Sequence, residues 1–154
     1  AICPMAGAAD DRSRYQHTCL CPSGITWHDT AYTSVVELAE GRAPWAIPWP
    51  CVHEFLAIVT HPRIYAPPTP LAAANDQIEA WLESPSIMLL QEMAGYWMQF
   101  RKSIETGRIV GGRIHDARIA ALCQLHDVKE LWTADRDFSN FPAIKVRNPL
   151  IKQD

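Results

Sequence analysis

The sequence contains no unbroken apolar stretch of the roughly 18 residues that a membrane-spanning helix needs, although 48% of its 154 residues are hydrophobic. No basic flank leads into an apolar run near the first residue, so a secretory leader is not expected. The cysteines lack metal spacing: Cys3, Cys19, Cys21, Cys51 and Cys123 form no Cys-x-x-Cys pair, which excludes the common zinc frameworks. Cys51 and Cys123 sit inside apolar patterns and read as buried thiols, and a reducing, cytoplasmic setting is expected. Glycine is scarce, with seven residues. The Gly111-Gly112 pair lacks the flanking pattern of a phosphate-cradling loop. No motif marks a Ser-His-Asp or Cys-His arrangement. His17, His28, His53, His61, His115 and His126 show no metal spacing on one helix, and His61 and His115 read as structural. Positive charge is short too, at 14 Lys and Arg against 17 Asp and Glu, a formal net charge of −3. That balance excludes a highly basic nucleic-acid coat protein. It leaves room for a nuclease whose metal-binding carboxylates lower the net charge.

What is present suits one domain with a substantial core. Six tryptophans among abundant Leu, Ile and Val could not stay solvated in a disordered chain. No internal repeat or long linker appears, and glycines and prolines divide the chain into alternating elements. The spacing predicts a helix over His28–Glu40 with Tyr32, Val35, Val36 and Ala39 on one face, capped by Gly41. Trp45-Ala46-Ile47 reads as a short strand. Pro50 then opens a helix with Val52, Phe55, Leu56 and Val59 facing inward, ended by His61-Pro62. A further helix is expected from Thr69, whose hydroxyl can cap it, to about Glu83, with Leu71, Ile78, Trp81 and Leu82 as its apolar face. Ile87–Leu90 reads as a strand, Tyr96–Thr106 as a helix closed by Gly107, and Ile114–Leu125 as a helix with Ile119, Ala120 and Leu122 inward. Glu130–Thr133 and Ile144–Val146 are the last strands. Short strands alternating with helices predict an α/β/α sandwich around a mainly parallel sheet. Residues 1–27 form an atypical N-terminal segment of this domain and residues 28–154 its regular part. The segment is polar and rich in Arg and Cys, where a parallel sheet should begin with an apolar strand.

Four acidic residues stand beside apolar runs. Glu54 lies within an otherwise core-facing helix, Asp116 at the start of the Ile114–Leu125 helix, and Asp135 and Asp137 just after a strand end. In an open α/β sheet, ligands bind in the crevice beyond the carboxyl ends of strands. Carboxylates gathered there repel one another unless a divalent cation neutralises them. An all-oxygen donor set favours Mg²⁺ or Mn²⁺, and such an ion can generate hydroxide and stabilise phosphate oxygens. Taken singly, each residue has a plainer reading. Asp116 is a good helix cap, Asp135-Arg136-Asp137 a good Asx turn, and Glu54 a surface charge able to pair with Arg63 or His53.

Several stretches together carry a resemblance. They are Pro44–Pro50, Glu54-Phe55-Leu56, Thr60-His61-Pro62-Arg63, His115–Ala121 and Thr133–Phe138. From Trp45 to Leu150 the sequence resembles the PIN-domain ribonucleases, in particular the VapC toxins of toxin–antitoxin pairs. The resemblance implies a PIN-like sandwich, a site holding Mg²⁺ or Mn²⁺, and hydrolysis of RNA, often tRNA or ribosomal RNA. It also implies a VapB-type antitoxin and a homodimer. Carried over residue by residue, Glu54, Asp116, Asp135 and Asp137 match the family's acidic positions, and Thr133 matches a supporting polar one.

One departure is specific. The family opens with an apolar strand ending in Asp-x-Asn, and no such motif stands near the start here. Asp10 and Asp11 are followed by Arg12 and Ser13, and Asp29 reads as a helix-start residue. Read one nucleotide later, the codons of Arg14-Tyr15-Gln16 can encode Asp-Thr-Asn. Those of Thr18 to Pro22 can then encode Leu-Val-Tyr-Ala. A coding frame displaced over roughly Asp11 to Thr26 would explain the missing strand and would leave the site short of one ligand. A PIN-like protein retaining only fold and partner surface is therefore the alternative, with an unrelated metallohydrolase third. Arg101, Lys102, Arg108, Arg113 and Arg118 concentrate positive charge late in the chain, where they could hold an RNA backbone or simply be solvated. Trp45, Trp49, Trp81 and Trp97 are assigned to core or interface rather than to base stacking.

Overall fold

The structure is a computed structural model, which describes residues 3–4, 28–41 and 43–151. Asp10, Asp11 and the Arg14–Pro22 stretch of the displaced-frame reading lie outside the described residues. A short strand not expected from the sequence, β1 (Cys3–Pro4), comes first; after it the alternation follows the predicted order: α1 (His28–Glu40), β2 (Trp45–Pro48), α2 (Trp49–Val59), α3 (Leu71–Leu82), β3 (Ile87–Leu90), α4 (Tyr96–Gly107), α5 (Ile114–Leu125), β4 (Glu130–Trp132) and β5 (Lys145–Arg147). Single turns of 3-10 helix at Gly111–Arg113 and Arg136–Asn140 complete it.

The strands form two parallel pairs, β2 with β3 and β4 with β5, in the register Trp45 to Ile87 and Glu130 to Lys145. β1 lies between them: it pairs antiparallel with β2, Cys3 opposite Ala46, and packs against β4 on its other side. Two residues, one of them a proline without an N–H, cannot make a full ladder on both sides. Among the described residues the strands therefore form two sheets, β1-β2-β3 and β4-β5, with β1 lying near β4 but no ladder joining them.

The core forms where helix and strand faces meet. Trp45, Ala46 and Ile47 of β2, Leu90 of β3 and Leu131 of β4 are buried between α2 and α5 residues such as Val52, Phe55, Ala117, Ala120 and Leu122. An all-buried strand of this kind is what a sheet covered on both faces requires. The indole of Trp45 donates from Nε1 to Ser84 Oγ at 3.1 Å, so the one polar atom of this ring is satisfied inside the core. Gly41 after α1 is demanded by contact rather than by dihedral angle: a Cβ there would stand 2.6 Å from the Glu37 carbonyl oxygen.

Several local expectations need correction. Thr69 does not cap α3: Pro70 occupies that position with no side-chain cap, and the helix buries Ala74, Gln77 and Trp81 while Leu71 and Leu82 stay exposed. Small and polar residues face inward there because bulky Trp81 already fills the space against Phe55, with ring centroids 4.8 Å apart. α4 is closed not by Gly107, which remains helical, but by Arg108 in the left-handed region at φ 48°. The strands β4 and β5 end and start one residue away from the expected bounds. Trp97 is not part of the core: it is 64% exposed and, among the described aromatic rings, touches only the partly buried Phe100.

Candidate active site

Glu54 stands in the middle of α2, which follows β2 without a loop because Pro50 is acceptable in a first helical turn where its missing N–H costs nothing. Its neighbours on the core side are buried, whereas Glu54 itself is exposed. Among the described residues no ion pair joins it to Arg63 or His53: His53 stacks on Trp49, and Nδ1 of His61 accepts from the Arg63 backbone N–H. The plain surface-pair reading of Glu54 is therefore not what the fold uses.

Asp116 is in the first turn of α5 but is not its cap, a position held by Arg113. Beside it on the helix, Ala117 and Ala120 are fully buried, so small side chains bring α5 close against the sheet and carry the half-buried carboxyl with it.

Asp135 and Asp137 follow β4 in a tightly wound turn. Thr133 begins it: its N–H donates to the Arg147 carbonyl, and its Oγ1 accepts from the Asp135 N–H at 3.1 Å. Asp135 Oδ1 then accepts from the Asp137 N–H at 2.8 Å, and Asn140 Nδ2 donates to the Asp137 carbonyl at 2.7 Å. The Asx turn read from the sequence is real. It engages one oxygen of Asp135, leaves the other outside that bond, and fixes the direction of the Asp135 side chain and the backbone at Asp137.

The electrostatics bring these three segments together. Burial pushes the Asp116 carboxyl above its usual range. The negative charges of Asp135, Asp137 and Glu54 push it further the same way, against a smaller opposite effect of His115. Residues far apart in the chain thus share one acidic rim. Among the described residues no three His, Cys, Asp or Glu side chains are close enough to cage an ion by themselves. The donor chemistry nevertheless fits a hard divalent cation, since every available ligand is a carboxylate oxygen. Behind the rim lie the two buried thiols Cys51 and Cys123. Burial raises the Cys51 thiol, with Cys123 and Glu54 adding to the effect.

A second cluster, between β3, α4 and α5, was not legible in the sequence. Arg118, two residues after Asp116, binds Glu92 through Nε and Nη2 at 3.1 Å each. Glu92 follows β3, and Tyr96 opens α4 next to both. Burial and then Glu92 push the Tyr96 phenol up, opposed by Arg118. The separation of 26 residues between the ion-pair partners left no periodic signal to read.

Comparison with known proteins agrees with the fold. The family described as PIN domain matches residues 25–144, most of the chain, and the protein belongs to that family. Its relatives narrow the class. Ribonuclease VapC48 of Mycobacterium tuberculosis is 30% identical over 123 residues, 80% of this chain and 85% of that protein. VapC ribonuclease Mb2897 of Mycobacterium bovis is 31% identical over 120 residues, covering 77% and 81%. Ribonuclease VapC33 of Mycobacterium tuberculosis is 27% identical over 133 residues, covering 83% and 89%. Within the PIN domains, this is a chain of the VapC type.

Proposed function

We propose that this protein is a VapC-type endoribonuclease that hydrolyses RNA phosphodiester bonds, with Glu54, Asp116, Asp135 and Asp137 holding Mg²⁺ or Mn²⁺. The observation that carries this is the upward displacement of the Asp116 carboxyl by burial and by three other carboxylates, in a chain of the PIN family. Repulsion of that kind is tolerated where a cation is to be received. When bound, the ion supplies a hydroxide nucleophile and stabilisation of the phosphate oxygens. The chain's own part is to hold the oxygens ready. The Thr133 hydroxyl and the Asx turn orient Asp135 and Asp137, the first turn of α5 presents Asp116, and α2 presents Glu54. A tRNA or ribosomal RNA substrate, a VapB-type antitoxin, a homodimer and a cytoplasmic setting complete the functional reading. Among the described residues no helix is long and apolar enough to cross a membrane.

The missing Asp-x-Asn belongs to the same proposal. Read one nucleotide later, the codons of Asp10 to Ser13 can encode Met-Ile-Val-Leu, and those from Arg14 onward Asp-Thr-Asn-Ile-Leu-Val-Tyr-Ala. A displaced frame would therefore have cost the chain an apolar strand and one acidic ligand at once, and its cation affinity is expected to be low.

The test is cleavage of a total RNA pool by purified protein with Mn²⁺ or Mg²⁺ against EDTA, beside Asp116→Asn. Cleavage should need the metal and fall by about 10- to 100-fold or more in the variant. Metal-independent cleavage, full activity in the variant, or a folded protein inert at every metal concentration would overturn the proposal.

A further inference from the structure

The outer face of α4 is unlike the rest of the surface. Trp97 is 64% exposed and Met98 73%, with Met93 just before the helix also in solvent. The inward face is already filled, since Ser103 is buried and Tyr96, Phe100 and Ile104 pack against the core. Trp97 is nonetheless held in place. Its ring leans on Phe100 at 6.0 Å between centroids and 47° between planes, and Phe100 stacks on Tyr96 at 5.7 Å and 13°. A supported aromatic ring with an open face loses little freedom when something flat is laid on it.

Cations surround this ring. One helical turn beyond Trp97 and Met98 come Arg101 and Lys102, at the spacing that places them on the same face. Both are exposed, and Arg101 is engaged only by Glu105 in a surface pair that solvent screens. On the other side Tyr96 leads to Arg118, which is half-exposed, and so back to α5 and Asp116. The segment from Glu92 to Arg118 carries five cations against three carboxylates. The remainder of the chain carries nine against fourteen. Positive charge thus outnumbers negative along this stretch of an acidic protein.

An aromatic ring flanked by arginine and lysine is the arrangement that takes single-stranded nucleic acid, bases stacking on the ring and phosphates meeting the cations. We infer that the exposed face of α4, with Arg118 beside it, binds single-stranded RNA: Trp97 stacks a base, and Arg101, Lys102 and Arg118 hold neighbouring phosphates. The inference rests on the ribonuclease reading above and adds which surface outside the acidic residues takes the RNA strand.

Binding is measured by fluorescence anisotropy of an end-labelled single-stranded oligoribonucleotide of mixed sequence, in EDTA so that nothing is cut. Trp97→Ala should weaken binding by about 10- to 100-fold, the usual effect of losing one stacking ring, and Trp97→Phe should keep affinity to within about 3-fold. Changing Arg101 and Lys102 together to Gln should lower the salt dependence by roughly one phosphate contact or more. Trp97 is exposed, and matching circular dichroism of the variants confirms that the fold is kept. Wild-type affinity in Trp97→Ala would overturn the inference and leave the ribonuclease reading standing. Wild-type protein that binds no RNA in EDTA would overturn the inference, while the cleavage assay with Mn²⁺ or Mg²⁺ decides the ribonuclease reading separately. A wild-type assembly that dissociates in Trp97→Ala at unchanged RNA affinity would make the face a self-interface, and loss of protein-partner binding alone would make it a protein site. Either result overturns the inference.

Discussion

Replacing Asp116 by Asn should make the metal-free protein more stable, not less. The folded carboxyl is raised above its ordinary value of 3.8, first by burial and then by Asp135, Asp137 and Glu54. A raised carboxyl binds its proton more tightly in the folded than in the unfolded chain, so the folded state is penalised at every pH above the raised value. The penalty fades as pH falls and vanishes below the unfolded value. The magnitude can be bounded from the arrangement. Partial burial and three like charges in a partly solvated setting cost about 1–1.5 kcal/mol. Attraction to the amino end of α5 returns about 0.5 kcal/mol. A net gain of about 0.5–1 kcal/mol in the Asn variant corresponds to a rise of about 1–4 °C in Tm for a chain of this size. The assay is thermal unfolding in EDTA at neutral pH and again near pH ~4, where the gain should shrink because the wild-type carboxyl takes up its proton. Added Mn²⁺ should then raise the wild-type Tm and move the variant less, because only the native wild-type site binds the ion well. An Asn variant that melts at or below wild type in EDTA at neutral pH would refute the convergence of the four carboxylates.

Ser84→Ala removes the acceptor of the buried Trp45 Nε1–H. Leaving that donor unsatisfied should cost about 1–3 kcal/mol and lower Tm by about 2–10 °C; an unchanged melt would show that the bond is not structural. Glu130 is held below its usual range, chiefly by the hydrogen bond from Lys145 and also by that from Trp132 Nε1. Its contribution, below about 1 kcal/mol because Lys145 is exposed, should be complete above the ordinary value of 4.5 and lost as pH falls through the depressed one. Urea midpoints of wild type and Glu130→Gln should therefore differ at neutral pH and converge in acid, and a difference that persists would be contrary to this pairing. The gene itself tests the displaced frame. Codons from Asp10 to Cys21 that spell an apolar strand and Asp-x-Asn one nucleotide later are expected, and codons that cannot do so dispose of the idea.

Most elements were legible because their signals are local. Helices α1 and α5 and strand β3 occupy their expected bounds, since a helical spacing of Val35 and Ala39, or a short apolar run such as Ile87–Leu90, needs no distant partner to be recognised. The acidic positions were visible as carboxylates next to apolar runs, and the family resemblance supplied their grouping. The inward face of α3 was not legible. Leu71 and Leu82 have the right chemistry for a core, but the room beside Phe55 was already taken by Trp81, so that Ala74 and Gln77 turned inward instead.

By itself, then, the sequence determined most of the order of helices and strands and the membership of the PIN family, and offered the candidate acidic residues, because each depends on periodicity or on motifs a few residues long. Only the tertiary structure decided which of these residues share a field, that Arg118 reaches Glu92 across 26 residues, and that Trp97 faces solvent beside a row of cations while its neighbours Tyr96 and Phe100 do not. Helical spacing names the residues that lie on one side of a helix. It does not say which side the remaining elements will cover, and that is settled by how much space their side chains leave.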